Sequence, residues 1–183
     1  MDASAPLPAG DSAMLVRRIR IVLLLFIVGL VASGLTTFFL EPEVRFLASF
    51  VQDIAHEQPP GLWTELEAFV LRVQSAIEET AKNHPILFYG TDWLGFAHIV
   101  IAIAFVGPYR DPVRNKWVVD FGLLACAAVL PAAILAGEIR GIPWLWRAID
   151  CSFGVFGAIP LFYLRCAIRR LEILAARQDP VRK

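Results

Sequence analysis

The sequence predicts an all-α integral membrane protein, a bundle of four transmembrane helices with two short amphipathic helices in the outer loop between spans one and two. Composition is the first ground: 57% of the 183 residues are hydrophobic and only 19% are charged, too apolar for an ordinary soluble domain. The second is four long apolar stretches, each near the roughly 20 residues that a helix needs to cross a hydrocarbon layer about 30 Å thick. The third is charge placement, because a formal net charge of zero hides a strong asymmetry along the chain.

Residues 1–13 are rich in Ala, Pro, Ser and Gly without apolar period, so a disordered cytoplasmic N-terminus is expected over 1–16. After the basic cluster Arg17, Arg18, Arg20, the uncharged run Ile21 to Leu40 forms the first span, and Glu41-Pro42 is expected to stop it. Its twenty residues exceed a signal-peptide core and end in no A-x-A-like site, so it reads as an anchor. Spans two and three cover about 93–109 and 117–137, the third with Pro131 inside it and an expected kink. Gly137, Gly141 and Pro143 turn the chain into span four, about 144–164, which ends before Arg165, Arg169 and Arg170. Residues 17–170 thus form one membrane domain and 171–183 a cytoplasmic tail.

Between spans one and two lies an outer helical segment, 42–84. Val44, Leu47, Phe50, Val51 and Ile54 recur at helical spacing until Gln58-Pro59-Pro60-Gly61 ends the run. Thr64 with Glu67 fits a capping box, and Leu66, Phe69, Val70, Val73 and Ile77 then make one apolar face. Net acidity argues against attachment to anionic lipid by charge and for contact with the bundle or a partner. Small-xxx-small spacings recur at Gly29, Ser33 and Thr37, at Ala128, Ala132 and Ala136, and at Gly154 with Ala158.

Orientation follows from the basic residues. Three precede span one, three (Arg110, Arg114, Lys116) separate spans two and three, and six follow span four, whereas Glu41 to Asp92 holds three against nine acids. The positive-inside rule therefore puts both termini in the cytoplasm and the acidic segment outside. Arg and Ala richness points to a bacterial chain, hence to the inner membrane. The layout of four spans with both ends cytoplasmic is similar to that of the EXPERA group of small-ligand binders and sterol isomerases; the likeness is architectural and carries over no site residue.

Cys151 to Leu164 is the longest uncharged part of span four, and fourteen residues give only about 21 Å. Asp150 is therefore expected within the membrane, where a charge is normally paired or lines a cavity. Arg147 sits one turn away at i, i+3 spacing and is its expected structural partner. His98 lies five residues below Trp93 and Asp150 six below Trp144, depths of about 7 and 9 Å from the same side. These spacings predict a ligand-binding outer pocket of His98, Arg147 and Asp150 walled by Trp93 and Trp144. The bland readings stand beside it: an interfacial ion pair with Arg147 snorkelling, and a packing histidine. Asp120, near the cytoplasmic edge, is expected to pair with Arg18, Arg20 or Arg165.

Several classes are set aside. Cys126, Cys151 and Cys166 show no CxxC or metal spacing, a haem lacks a second histidine at compatible depth, and no P-loop, HExxH or nucleophile elbow occurs. No catalytic residue, metal or cofactor is expected, and no nucleic acid, since topology explains the basic residues. The leading expectation is a structural or accessory subunit whose outer helices contact a membrane-protein partner or a second copy. The alternatives are a binder or enzyme of a lipidic or quinone-like molecule in the outer pocket, and an oligomeric channel or proton-coupled carrier.

Overall fold

The computed structural model describes residues 9–59 and 61–178. Of the expected disordered start 1–16, residues 9–16 instead form the first turns of a helix that runs on into the apolar span, while 1–8 and the end of the tail, 179–183, lie outside the described residues. The protein is all-helical, 91% helix without strands among the described residues, and holds four helical stretches long and apolar enough to span a membrane: Ser12–Glu57, Pro85–Arg110, Lys116–Ile139 and Trp144–Ala176. The helices are α1 (Ala9–Thr36), α2 (Leu40–Glu57), α3 (Leu62–Asn83), α4 (Pro85–Ala104), α5 (Val106–Arg110), α6 (Lys116–Ile139) and α7 (Trp144–Gln178). Two compact units are present, one of residues to Val28 and from Ala102, the other of Gly29–Ile101.

Helix boundaries differ from the sequence reading in instructive ways. Glu41-Pro42 does not break the chain: a single 3-10 turn, Thr37–Phe39, joins α1 to α2, and Pro42 falls in the first turn of α2, where a missing N–H costs nothing. Span two begins at Pro85 rather than Trp93, because a proline suits a first helical position and the apolar run behind it has no breaker. α7 continues through Arg165, Arg169 and Arg170 to Gln178; arginine is a good helix former, so charge marks a change of solvent and not the end of a helix. α3 starts at Leu62, with Thr64 at its third position accepting a long 3.5 Å hydrogen bond from the Gly61 N–H.

In the first unit the core is apolar. Ile19, Leu23, Phe105, Leu161, Leu164 and Ile168 are essentially inaccessible, and the Phe26 ring stacks on Phe105 at 4.8 Å between centroids. α6 and α7 pack as a close antiparallel pair. A Cβ on Gly154 would lie 2.6 Å from the Cys126 carbonyl oxygen, so the bare glycine is what lets α7 approach the α6 backbone. The packed side of α6 runs through Gly122, Cys126, Val129 and Gly137, whereas Ala128, Ala132 and Ala136 are exposed. Between α6 and α7 the chain closes in a Schellman turn: Ile142 N–H donates to Gly137 O (2.9 Å) and Gly141 N–H to Glu138 O (3.2 Å). Gly141 adopts φ +64° there, a left-handed conformation that glycine takes without Cβ cost.

In the second unit α2 and α3 form an antiparallel pair. Its contact stripe on α2 is Val44, Ala48 and Val51, all buried. Phe50, expected on that face, is instead 53% exposed and Phe46 73% exposed, because small Ala48 brings the helices together and turns the phenylalanines outward. Arg45 Nε donates to Glu78 Oε1 at 2.8 Å, Gln74 adds a 3.2 Å bond and Glu41 lies 3.6 Å from Arg45. The Arg45 hydrogen bond holds the Glu78 carboxyl below its usual range. The last turns of α1 meet α4 at two glycines: a Cβ on Gly95 would be 2.5 Å from Gly34 O and would overlap the Thr37 hydroxyl, and one on Gly34 would be 2.8 Å from Gly95 O.

At Gly29, by contrast, a Cβ would find no neighbouring atom within 4 Å. Gly95→Ala is therefore expected to destabilise by about 1–3 kcal/mol through backbone displacement, while Gly29→Ala is neutral or stabilises by up to about 1 kcal/mol through helix propensity. Unfolding of the two purified variants in mixed detergent micelles measures this; equal stabilities would show that the Gly34–Gly95 approach does not hold α1 to α4.

Candidate functional site

The turn end of the α6–α7 pair carries Arg147, Trp144 and Asp150. Arg147 lies on the first turns of α7 and its aliphatic stem runs across Gly137, where a Cβ would overlap its Cγ and Cδ. The absent side chain thus clears a path, and the guanidinium reaches Glu138, with Nη1 donating to Oε2 at 2.5 Å. Arg147 is 23% exposed against 75% for Glu138, so the cation is largely enclosed and its partner faces outward. Arg147 Nε is buried and makes no hydrogen bond among the described residues. An enclosed donor left this way costs about 1–3 kcal/mol.

The expected partner, Asp150, is not the group that Arg147 uses. Three residues along α7 place Asp150 one turn further from the mouth, half-buried, and among the described residues it makes no ion pair or side-chain hydrogen bond. Glu138 wins because it stands across the Schellman turn, next to the Gly137 gap that orients the arginine toward it. In the sequence Glu138 directly follows Gly137, and that glycine, shortly before the Arg140–Pro143 turn, is the local sign that a side chain from the next helix can cross there.

Trp144 and Arg147 border an open groove of about 630 Å³ whose remaining wall is mostly apolar, with Ile134, Val155 and Phe156. Its polar groups are engaged locally: Ser152 Oγ donates to Ile149 O (2.6 Å) and the Cys151 thiol faces Leu130 O at 4.0 Å. Asp150 does not line it. The groove can take an apolar or amphiphilic chain, and its one cation is already neutralised.

His98 and Trp93 belong to the other unit. His98 is half-buried beside Gly34, and its Nδ1 lies 2.9 Å from the Leu94 carbonyl oxygen, an acceptor to which the ring nitrogen can only donate. Trp93 is exposed and packs edge-on against Tyr89 (6.0 Å) and Phe96 (5.6 Å). The His98 ring is thus tied to its own helix, and Trp93 joins an aromatic cluster of the kind enriched at membrane interfaces.

At the opposite end of the same helix pair, Arg165 is paired with Asp120, and Lys116 Nζ donates to Glu172 at 2.7 Å. The second pair was legible as a pattern: Lys116 and Asp120 at i, i+4 on one helix face Glu172 and Arg165 in reversed order on the next. Eighteen residues separate Asp120 from Glu138, and eighteen separate Arg147 from Arg165. At about 1.5 Å per residue that is about 27 Å of helix, against a hydrocarbon layer about 30 Å thick.

Comparison with protein-family models, with curated proteins and with solved structures finds no match to this chain. The chemistry of the site therefore rests on its own geometry. Glu138→Gln keeps an acceptor but removes the negative charge opposite a largely enclosed guanidinium, and because Glu138 is itself 75% exposed a loss of about 0.5–1.5 kcal/mol is expected. Asp150→Asn should be neutral or stabilising, and adding Arg147→Met to Glu138→Gln should recover most of the loss. Unfolding midpoints of the three variants test the assignment; a larger loss from Asp150→Asn than from Glu138→Gln would make Asp150 the true partner.

Proposed function

We propose that this chain is a four-crossing protein of a bacterial inner membrane, with both termini cytoplasmic, that serves as a structural or accessory subunit and contacts a membrane-protein partner through the α2–α3 pair on the outer side. The crossing is supported by the match between the spacing of the α6–α7 ion pairs and the thickness of a bilayer core. It is supported also by the apolar side chains that these helices leave exposed, among them Leu124, Phe153, Phe156 and Phe162, which an aqueous solvent would force into aggregation. The cytoplasmic placement of the ends rests on twelve basic residues flanking the spans on one side.

The observation that carries the contact function is the exposure of Phe46 and Phe50, one turn apart on α2, after α2 has packed its Val44, Ala48 and Val51 face on α3. Large aromatics left out of a completed helix pair are the kind of residue that anchors interfaces. The segment 41–92 carries three basic and nine acidic residues, so a second copy of this surface would be repelled. An apolar, basic-rimmed partner suits it better. The lipid- or quinone-binding reading is carried less far, because Arg147 is already neutralised and Asp150 stands outside the groove.

A photoreactive residue placed at 46 or 50 in native membranes tests this. Both positions are expected to yield the same discrete adduct with a second protein, and Phe46→Ser with Phe50→Ser should abolish its co-purification. Adducts with lipid alone, or a covalent dimer of this chain, would overturn the reading.

A further inference from the structure

A second crevice, of about 680 Å³, opens in the first unit where the basic start of α1 meets α5 and the end of α7. Arg17, Arg20 and Tyr109 stand along it, and its floor is Ile21, Leu24, Leu171 and Leu174. The two arginines share one face of α1 with Ile21 and Leu24, at spacings of three, four and seven residues. Along that face, charge gives way to hydrocarbon over about 10 Å of helix.

Among the described residues of this unit, three grooves that border on basic residues differ in how that charge is balanced. Arg147 is neutralised by Glu138, while Arg165 and Lys116, which line a third groove, are neutralised by Asp120 and Glu172. Among the described residues no acidic side chain lines the crevice of α1, and neither Arg17 nor Arg20 makes an ion pair. Two uncompensated guanidiniums above an apolar floor complement one chemistry, an anion with a hydrocarbon tail.

We infer that this crevice binds an anionic phospholipid of the surrounding bilayer, its phosphate between Arg17 and Arg20 and its first acyl segment against Leu24, Leu171 and Leu174. The volume suits a headgroup with the start of one chain, since ligand sites typically measure about 300–1,000 Å³. Guanidinium forks bind phosphate oxygens in pairs, and a zwitterionic headgroup would bring its own cation toward the same arginines. The inference rests on the membrane reading but not on the partner contact at α2–α3, so the two fail separately.

The test is native mass spectrometry of the full chain in mild detergent, titrated with phosphatidylglycerol or phosphatidylcholine. Wild-type protein is expected to retain phosphatidylglycerol preferentially, and R17Q/R20Q to bind it at least about tenfold more weakly, as expected for two charges near a lipid phosphate. R110Q/R114Q removes the same charge outside the crevice and should bind as wild type does. Leu174→Glu, which keeps both arginines but puts a carboxylate over the floor, should lose the lipid as R17Q/R20Q does. Equal weakening by R110Q/R114Q would mean general surface charge only, equal retention of phosphatidylcholine would remove the headgroup preference, and displacement of the lipid by equimolar inorganic phosphate would mean a free-anion site; each overturns the inference.

Discussion

Two ion pairs, Asp120 with Arg165 and Glu138 with Arg147, fasten α6 to α7 at points eighteen residues apart on each helix. Between them the helices carry almost nothing but apolar side chains, and α7 comes close enough to the α6 backbone at Gly154 that no Cβ fits. In water, burial of leucine and phenylalanine would drive such a pair together at about 1.5–3 kcal/mol per side chain. In lipid that drive disappears, since the tails are as apolar as the side chains, and dispersion contacts at bare glycines with a few polar fastenings must do the holding. Bare-glycine approaches and polar fastenings at the two ends are what join α6 to α7 here. Under the proposed crossing, the uncovered outward surfaces would face lipid and the fastenings would lie near the headgroups.

Glycine has two distinct uses in this molecule. At Gly141 the need is conformational, a positive φ that closes the turn after α6. At Gly34, Gly95, Gly137 and Gly154 the need is space, for a neighbouring backbone or for the stem of Arg147. The second use ties packing to electrostatics, because the Gly137 gap decides that Arg147 crosses to Glu138 rather than running along its own helix to Asp150.

Much of the helical layout was legible in the sequence because its signals are local. Unbroken apolar runs, the Gly141–Pro143 turn and the reversed charge order of Lys116–Asp120 against Arg165–Glu172 each need only a few residues to read. Harder were the features set by contact. Spacing alone paired Arg147 with Asp150, since i, i+3 geometry permits it, and could not see that an absent Cβ on the neighbouring helix offered a better route. Spacing likewise assigned Phe50 to the packed face of α2, where the actual stripe passes through Ala48. Of the small-residue stripes, Gly154 meets a neighbour while Ala128, Ala132 and Ala136 remain uncovered, a distinction that periodicity does not contain.

The proposed function depends most on the apolar spans lying across a bilayer, so that the acidic α2–α3 pair and the chain ends occupy opposite sides. Single cysteines introduced as Ser75→Cys and Ala176→Cys, with the three native cysteines replaced by serine, can be exposed to a membrane-impermeant thiol reagent on intact cells. Ser75→Cys should react from outside and Ala176→Cys only after permeabilisation. Equal reaction of both on intact cells, or the reverse order, would contradict this arrangement.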